Sequence, residues 1–142
     1  MKIFNTLSGK KEHFEPIEKN NIRMYVCGMT VYDDTHIGHA RTFLSFDLIV
    51  RYLRSIDYKV HYIRNITDVD DKIISRANEL GMDPEELTER YINSMDDDFE
   101  SLGMIKPDAE PRATENISSI ISLIEILIEK GHAYEGESDV YF

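Results

Sequence analysis

Two histidines flank a glycine in His36-Ile37-Gly38-His39, at the point where a strand pattern gives way to a helix pattern. That is where an open α/β fold binds its ligand, outside the carboxyl end of a strand. The glycine lets a flat ligand approach the backbone with no side chain in the way. A helix starting there offers free N–H groups and the positive end of its dipole, which suits an anion. Both imidazoles can donate to phosphate oxygens. In nucleotidyl transfer, donors already aimed at the charge that builds on those oxygens lower the barrier by about 3–4 kcal/mol each. Just upstream stands Cys27, the only cysteine of the chain. Taken alone, a lone cysteine at a strand end reads as a small buried hydrophobe. As a zinc ligand it needs three partners. His36 and His39 could supply two but are better placed for phosphate.

A third segment, Asn65-Ile66-Thr67-Asp68-Val69-Asp70-Asp71-Lys72, leaves the next strand pattern and opens another helix. It therefore reaches the same edge as the His-Gly-His turn. Thr67 faces that edge and can bind an amine or a carboxylate. Thr67 or Asp68 is placed as the helix cap, and Asp70 and Asp71 suit the first turn by their charge. A magnesium site built on the three carboxylates is the alternative.

These residues must be positioned by a small number of elements. Met24-Tyr25-Val26-Cys27 is strand-prone and is ended by Gly28. Phe43, Phe46, Val50 and Leu53 recur at helical spacing, which predicts a helix near 41–55. Residues 59–65 alternate like a second strand. Strand, helix, strand is the βαβ unit, which requires a parallel sheet. Downstream, a helix is predicted over 68–80, stopped by Gly81, and another from Pro84 to about Leu102. Pro107 and Pro111 mark a connection. Ile117, Ile120, Ile121, Ile124, Leu127 and Ile128 form an apolar stripe ended by Gly131. Ala133-Tyr134 and Val140-Tyr141-Phe142 flank a turn-like segment and read as a hairpin.

With 142 residues the chain fits one domain. The fold class is α/β: an incomplete doubly wound fold, with a parallel sheet and flanking helices, ending in a hairpin-like segment. Two sheet strands are few, since most sheets have about 4–6. Residues 1–142 are therefore expected to be the front of a larger protein. An exposed parallel edge favours pairing between copies. The net charge of −11 argues against broad nucleic-acid binding by this piece. The acidic runs at 68–71, 83–89 and 96–100 read as solvated helix faces. One cysteine precludes an internal disulfide and fits a reducing cytoplasm. No apolar run approaches the ~20 residues that span a bilayer.

At this level of detail the sequence resembles the cysteinyl-tRNA synthetase family of bacteria. The resemblance is carried by residues 24–42, from Met24-Tyr25-Val26-Cys27-Gly28 through His36-Ile37-Gly38-His39 to Thr42. It is carried also by Arg64-Asn65-Ile66-Thr67-Asp68-Val69-Asp70-Asp71-Lys72-Ile73 and by Asp108-Ala109-Glu110-Pro111-Arg112-Ala113-Thr114. It implies a class I catalytic domain of Rossmann type. Such enzymes condense cysteine with ATP to cysteinyl adenylate and pass the cysteinyl group to the 3′ end of tRNA(Cys). It implies that His36 and His39 are catalytic, and that Thr30, His36, Gly38 and His39 hold ATP, which enters with Mg2+. It implies that Cys27, Gly28 and Thr67 bind cysteine, and that Cys27 is also a Zn2+ ligand. A zinc ion prefers the thiolate of cysteine to the hydroxyl of serine, where an apolar pocket separates close analogues by only ~1–3 kcal/mol. The remaining zinc ligands, the second ATP loop and the main tRNA contacts of the family lie past residue 142. The piece alone is expected to charge no tRNA, and the full-length protein to be a monomer. Two alternatives remain open at this point. One is the related cysteine-adenylating ligase of mycothiol synthesis, against which the Ile/Asn/Lys-rich composition argues. The other is a non-catalytic nucleotide-binding module, if the chain is complete.

Overall fold

The computed structural model describes residues 1–142, in the order β1 (Lys2–Asn5), β2 (Lys10–His13), β3 (Asn21–Val26), α1 (Ile37–Ser55), β4 (Lys59–Arg64), α2 (Asp71–Leu80), α3 (Pro84–Ser101), α4 (Ile117–Glu129), β5 (Tyr134–Glu135) and β6 (Val140–Tyr141). The expected βαβ unit is present: β3 and β4 pair in parallel, from Asn21 opposite Lys59 to Val26 opposite Arg64, with α1 as the crossover. Past the strands proper the pairing resumes between Thr30 and Thr67.

The stretch marked by Pro107 and Pro111 is more than a connection. Residues 109–112 run parallel to β4 along its other edge, with bridges from Ile63 to Ala109 and from Ile66 to Arg112. The Arg64 and Ile66 N–H groups donate to the Ala109 and Pro111 carbonyls at 3.1 and 3.0 Å. Proline lacks a donor but keeps its acceptor, so it is tolerated at a sheet margin. Acidic side chains hold the segment: Asp108 accepts the Tyr62 N–H at 2.7 Å, and Glu110 pairs with buried Arg64.

Several boundaries differ from the sequence expectation. The helix after β4 begins at Asp71, not Asp68, because Asp70 is the cap and accepts the Lys72 N–H at 2.9 Å. Neither Thr67 nor Asp68 caps it. Asp68 instead accepts the Thr114 N–H at 3.0 Å and also its hydroxyl. Helix α1 begins at Ile37, four residues earlier than its apolar spacing indicates, because His36 caps it. Gly81 and Gly131 end their helices in left-handed conformation, φ 62° and 73°, as expected of such positions. The terminal hairpin forms, with Tyr134 opposite Tyr141. The β1–β2 hairpin was not foreseen: its residues are all exposed, so no apolar alternation marks it.

One core unites these parts. Ile22, Val26, Val60 and Tyr62 from the strands meet Phe43, Val50 and Leu53 of α1, with Ile73, Leu87, Met95 and Phe99 of α2 and α3 in the same cluster. The apolar stripe of α4 is not part of it, and none of that helix's residues is buried. No helix is long and apolar enough to cross a membrane.

Candidate functional site

The ends of β3 and β4 are stitched together by Gly28 and Asn65. The Gly28 N–H donates to the Asn65 side-chain oxygen at 2.7 Å. A Cβ at residue 28 would lie 1.6 Å from the Asn65 main-chain oxygen, so only glycine fits. Thr67 follows half-buried, its main chain bonded to Met29 and Val31 at 3.2 and 3.3 Å. Its hydroxyl accepts from the Asn65 NH2 group at 3.2 Å. Thr30, also half-buried, sits opposite Thr67. Cys27, Gly28, Thr30 and Thr67 thus meet at one sheet edge.

Cys27 is exposed, which overturns its reading as a buried hydrophobe. The closest polar partner of its sulfur is the Gly28 carbonyl, at 3.7 Å. No group of three His, Cys, Asp or Glu side chains converges to hold a metal. Cys27 with the two histidines is therefore not a zinc set, and Asp68, Asp70 and Asp71 do not gather around a magnesium position. The chain's own residues offer a zinc ion one sulfur, that of Cys27, and do not complete a site.

The His-Gly-His turn lies where α1 begins, after β3 in the chain. Nδ1 of His36 accepts the N–H groups of Gly38 and His39 at 3.1 and 3.3 Å. Nδ1 of His39 in turn accepts the His36 N–H at 3.4 Å. This is a capping box made by two imidazoles. The rings stack with centroids 3.8 Å apart and planes 10° from parallel. A nitrogen that accepts an N–H carries no proton, so in both neutral rings the proton sits on Nε2. The arrangement presents two Nε2–H donors at the helix start. It also takes up two of the helix's first N–H groups, which the sequence alone leaves free for an anion. Gly38 has a further reason here: a Cβ would lie 2.8 and 2.9 Å from Cε1 and Nδ1 of His36. The glycine makes room for the histidine ring. Burial, and then the neighbouring charge of His36, hold the His39 imidazole below its ordinary titration range.

The loop before the turn is tied to α3. The Ser94 hydroxyl donates to Asp34 at 2.8 Å, and the Thr35 hydroxyl donates to Asp98. Asp98 belongs to an acidic run read as a solvated face, and so does Glu89, which pairs with Arg112. These carboxylates are internal anchors. Sequence reasoning missed them because their partners are distant in the chain, 63 residues away for Asp98 and 23 for Glu89. Behind the edge, Arg64 lies over the rings of Phe43 and Phe99, at 5.1 and 4.7 Å from their centroids.

Residues 13–142 match the family model described as the catalytic domain of class I (C) tRNA synthetases. The chain is 54% identical over 142 residues to the cysteine–tRNA ligase of Desulfotalea psychrophila, covering all of this chain and 29% of that protein. It is 55% identical over 143 residues to that of Cronobacter sakazakii and 57% identical over 143 residues to that of Francisella tularensis subsp. tularensis, covering 31% of each. The chain thus spans less than a third of the length of these curated relatives. With a match this extensive, and with the glycine and histidine positions explained by geometry, the chain belongs to the catalytic-domain family of the class I (C) tRNA synthetases.

Proposed function

We propose that residues 1–142 are the N-terminal portion of a Rossmann-like catalytic domain that activates cysteine for attachment to tRNA(Cys). The observation that carries this reading is identity of 54–57% along the whole chain with relatives named cysteine–tRNA ligase. In the reaction a carboxylate oxygen of cysteine attacks the α-phosphorus of ATP. The bond to the bridging oxygen breaks and pyrophosphate leaves. The adenylate then gives its acyl group to the 3′-terminal adenosine. His36 and His39, with their Nε2–H groups, are suited to donate to phosphate oxygens as charge builds on them. ATP enters as its Mg2+ complex, with Thr30 and Gly38 beside it. Gly28 and Thr67 line the place of the amino acid. Cys27 would contribute one ligand to a zinc ion, and such an ion would favour a soft thiolate over a hydroxyl. The protein acts in the cytoplasm, as a monomer, and most tRNA contacts come from the rest of its length.

The test is cysteine-dependent ATP–pyrophosphate exchange by the full-length protein, followed by charging of tRNA(Cys). Exchange that needs zinc and is lost in Cys27→Ser is expected. No exchange with zinc present, or none lost on that substitution, sinks the proposal. Transfer to an amino sugar instead of tRNA assigns the protein to the mycothiol branch.

A further inference from the structure

Asn65 joins the two sides of the ligand edge, and its amide has one possible orientation. The Gly28 N–H, 2.7 Å from the side-chain oxygen, can only donate. The amide oxygen therefore faces β3, and the NH2 group faces Thr67 Oγ1 at 3.2 Å. Both lengths are those of real hydrogen bonds. The Thr67 oxygen accepts along that direction, so its own proton must point elsewhere. Gly28 and Asn65 also touch through the main chain, where a Cβ has no room. One side chain thus sets both the spacing of the two strand ends and the polarity of the threonine hydroxyl.

Resting on the function proposed above, we propose that Asn65 is a positioning residue for the amino-acid substrate. By donating to one lone pair of Thr67 it directs the hydroxyl proton away from itself, free to donate toward a substrate oxygen. By accepting from Gly28 it holds the Cys27–Gly28 backbone at a fixed place beside it. A free amino acid presents a carboxylate, which accepts, and an ammonium, which donates. The freed proton suits the carboxylate, the group that must be aimed at the α-phosphorus.

A purely structural Asn65 would satisfy the same two partners, so the test has to separate the roles. Asn65→Asp keeps an acceptor for the Gly28 N–H but has no donor for Thr67, whose proton then turns back to the new carboxylate. In the full-length protein, Asn65→Asp, Thr67→Val and the double variant are compared in pyrophosphate exchange and in thermal melting. Asn65→Asp is expected to raise the KM for cysteine about tenfold, with the KM for ATP unchanged. In the Thr67→Val background the same change is expected to cost about threefold or less, because its effect runs through the hydroxyl. If Asn65→Asp does not fold, Asn65→Gln, which carries both groups on a longer arm, is read against Thr67→Val in the same way. An unchanged KM for cysteine, equal effects in both backgrounds, or KM values for cysteine and ATP rising together with a lowered melting point overturns the inference alone. A wild type without cysteine-dependent exchange overturns the proposed function and this inference with it.

Discussion

The imidazole of His36 lies flat against that of His39, 3.8 Å from centroid to centroid, and each ring accepts a main-chain N–H of the other residue. The pair is built for the neutral state of both rings. A proton on either Nδ1 removes an acceptor, and protons on both set two positive charges face to face.

That neutrality makes the pair sensitive to acid. His39 titrates below its ordinary value near 6.5, because of burial first and the charge of His36 second. Its unfolded form binds protons more readily than its folded form. The stability it contributes is therefore complete above pH 6.5 and is lost as the pH falls through 6.5 toward the folded value. Histidine resonances followed by NMR should show the His39 midpoint below 6.5. His36→Ala, which removes both the covering ring and its charge, should move the midpoint upward. A midpoint that stays put on that substitution would refute the coupling.

Gly38→Ala separates folding from ligand binding. Alanine favours a helix over glycine by about 1 kcal/mol. Its methyl group would meet the His36 ring at 2.8 Å, and displacing the ring forfeits a cap worth about 1 kcal/mol. The two effects oppose each other, so the unfolding free energy should change by less than about 1 kcal/mol. The Nε2–H donor of His36 is displaced outright. Calorimetry with ATP on the full-length protein should show at least about tenfold weaker binding. Unaltered affinity would show that the ring's position is immaterial.

These relationships were legible in the sequence to different degrees. The β3–α1–β4 unit could be read because its apolar periods change cleanly from strand to helix and back, and because Gly81, Pro84 and Gly131 punctuate the helices downstream of it. The residues of the candidate site could be named because they stand at the ends of those elements. Their mutual geometry could not. Nothing local in Asp98 points to Thr35, and nothing local in Asp68 points to Thr114. The two prolines disguised residues 109–112 as a loop although the carbonyls of Ala109 and Pro111 complete the sheet. Exposure of Cys27 was equally hidden, since its residue type favours the core and its neighbours do not decide.

Asp47 supplies a prediction about stability away from the candidate site. It is buried on α1 and accepts from the Ile105 N–H at 2.8 Å and from Arg51 at 2.6 Å. Burial pushes its carboxyl up, but the Arg51 hydrogen bond, the Ile105 N–H and the Arg51 charge together hold it below the ordinary 3.8. Its contribution is complete above pH 3.8 and is lost as the pH falls through the lowered folded value. Asp47→Ala leaves the Ile105 donor unpaired and should cost about 1–3 kcal/mol in urea unfolding at neutral pH. The gap to wild type should narrow in acid. A gap that stays constant from neutral pH down to about pH 3 would mean that the carboxylate charge is not what stabilises the link.

Gly28 is the position where the least change should do the most harm. Its backbone is not left-handed, so conformational freedom is not the reason for glycine. The reason is space: an added Cβ would fall 1.6 Å from the Asn65 main-chain oxygen. A main-chain carbonyl has no alternative rotamer, so the strands themselves must part. That separation lengthens the Gly28–Asn65 hydrogen bond and strains the Thr67 pairing beside it. Gly28→Ala should therefore cost about 3 kcal/mol, at the upper end for overpacking. Gly38→Ala, where a side-chain ring can swing aside, should cost far less. Denaturant midpoints of the two variants, measured with the slopes unchanged, decide the matter. Equal midpoints would show that the strand ends separate at little cost and that Asn65 does not hold them.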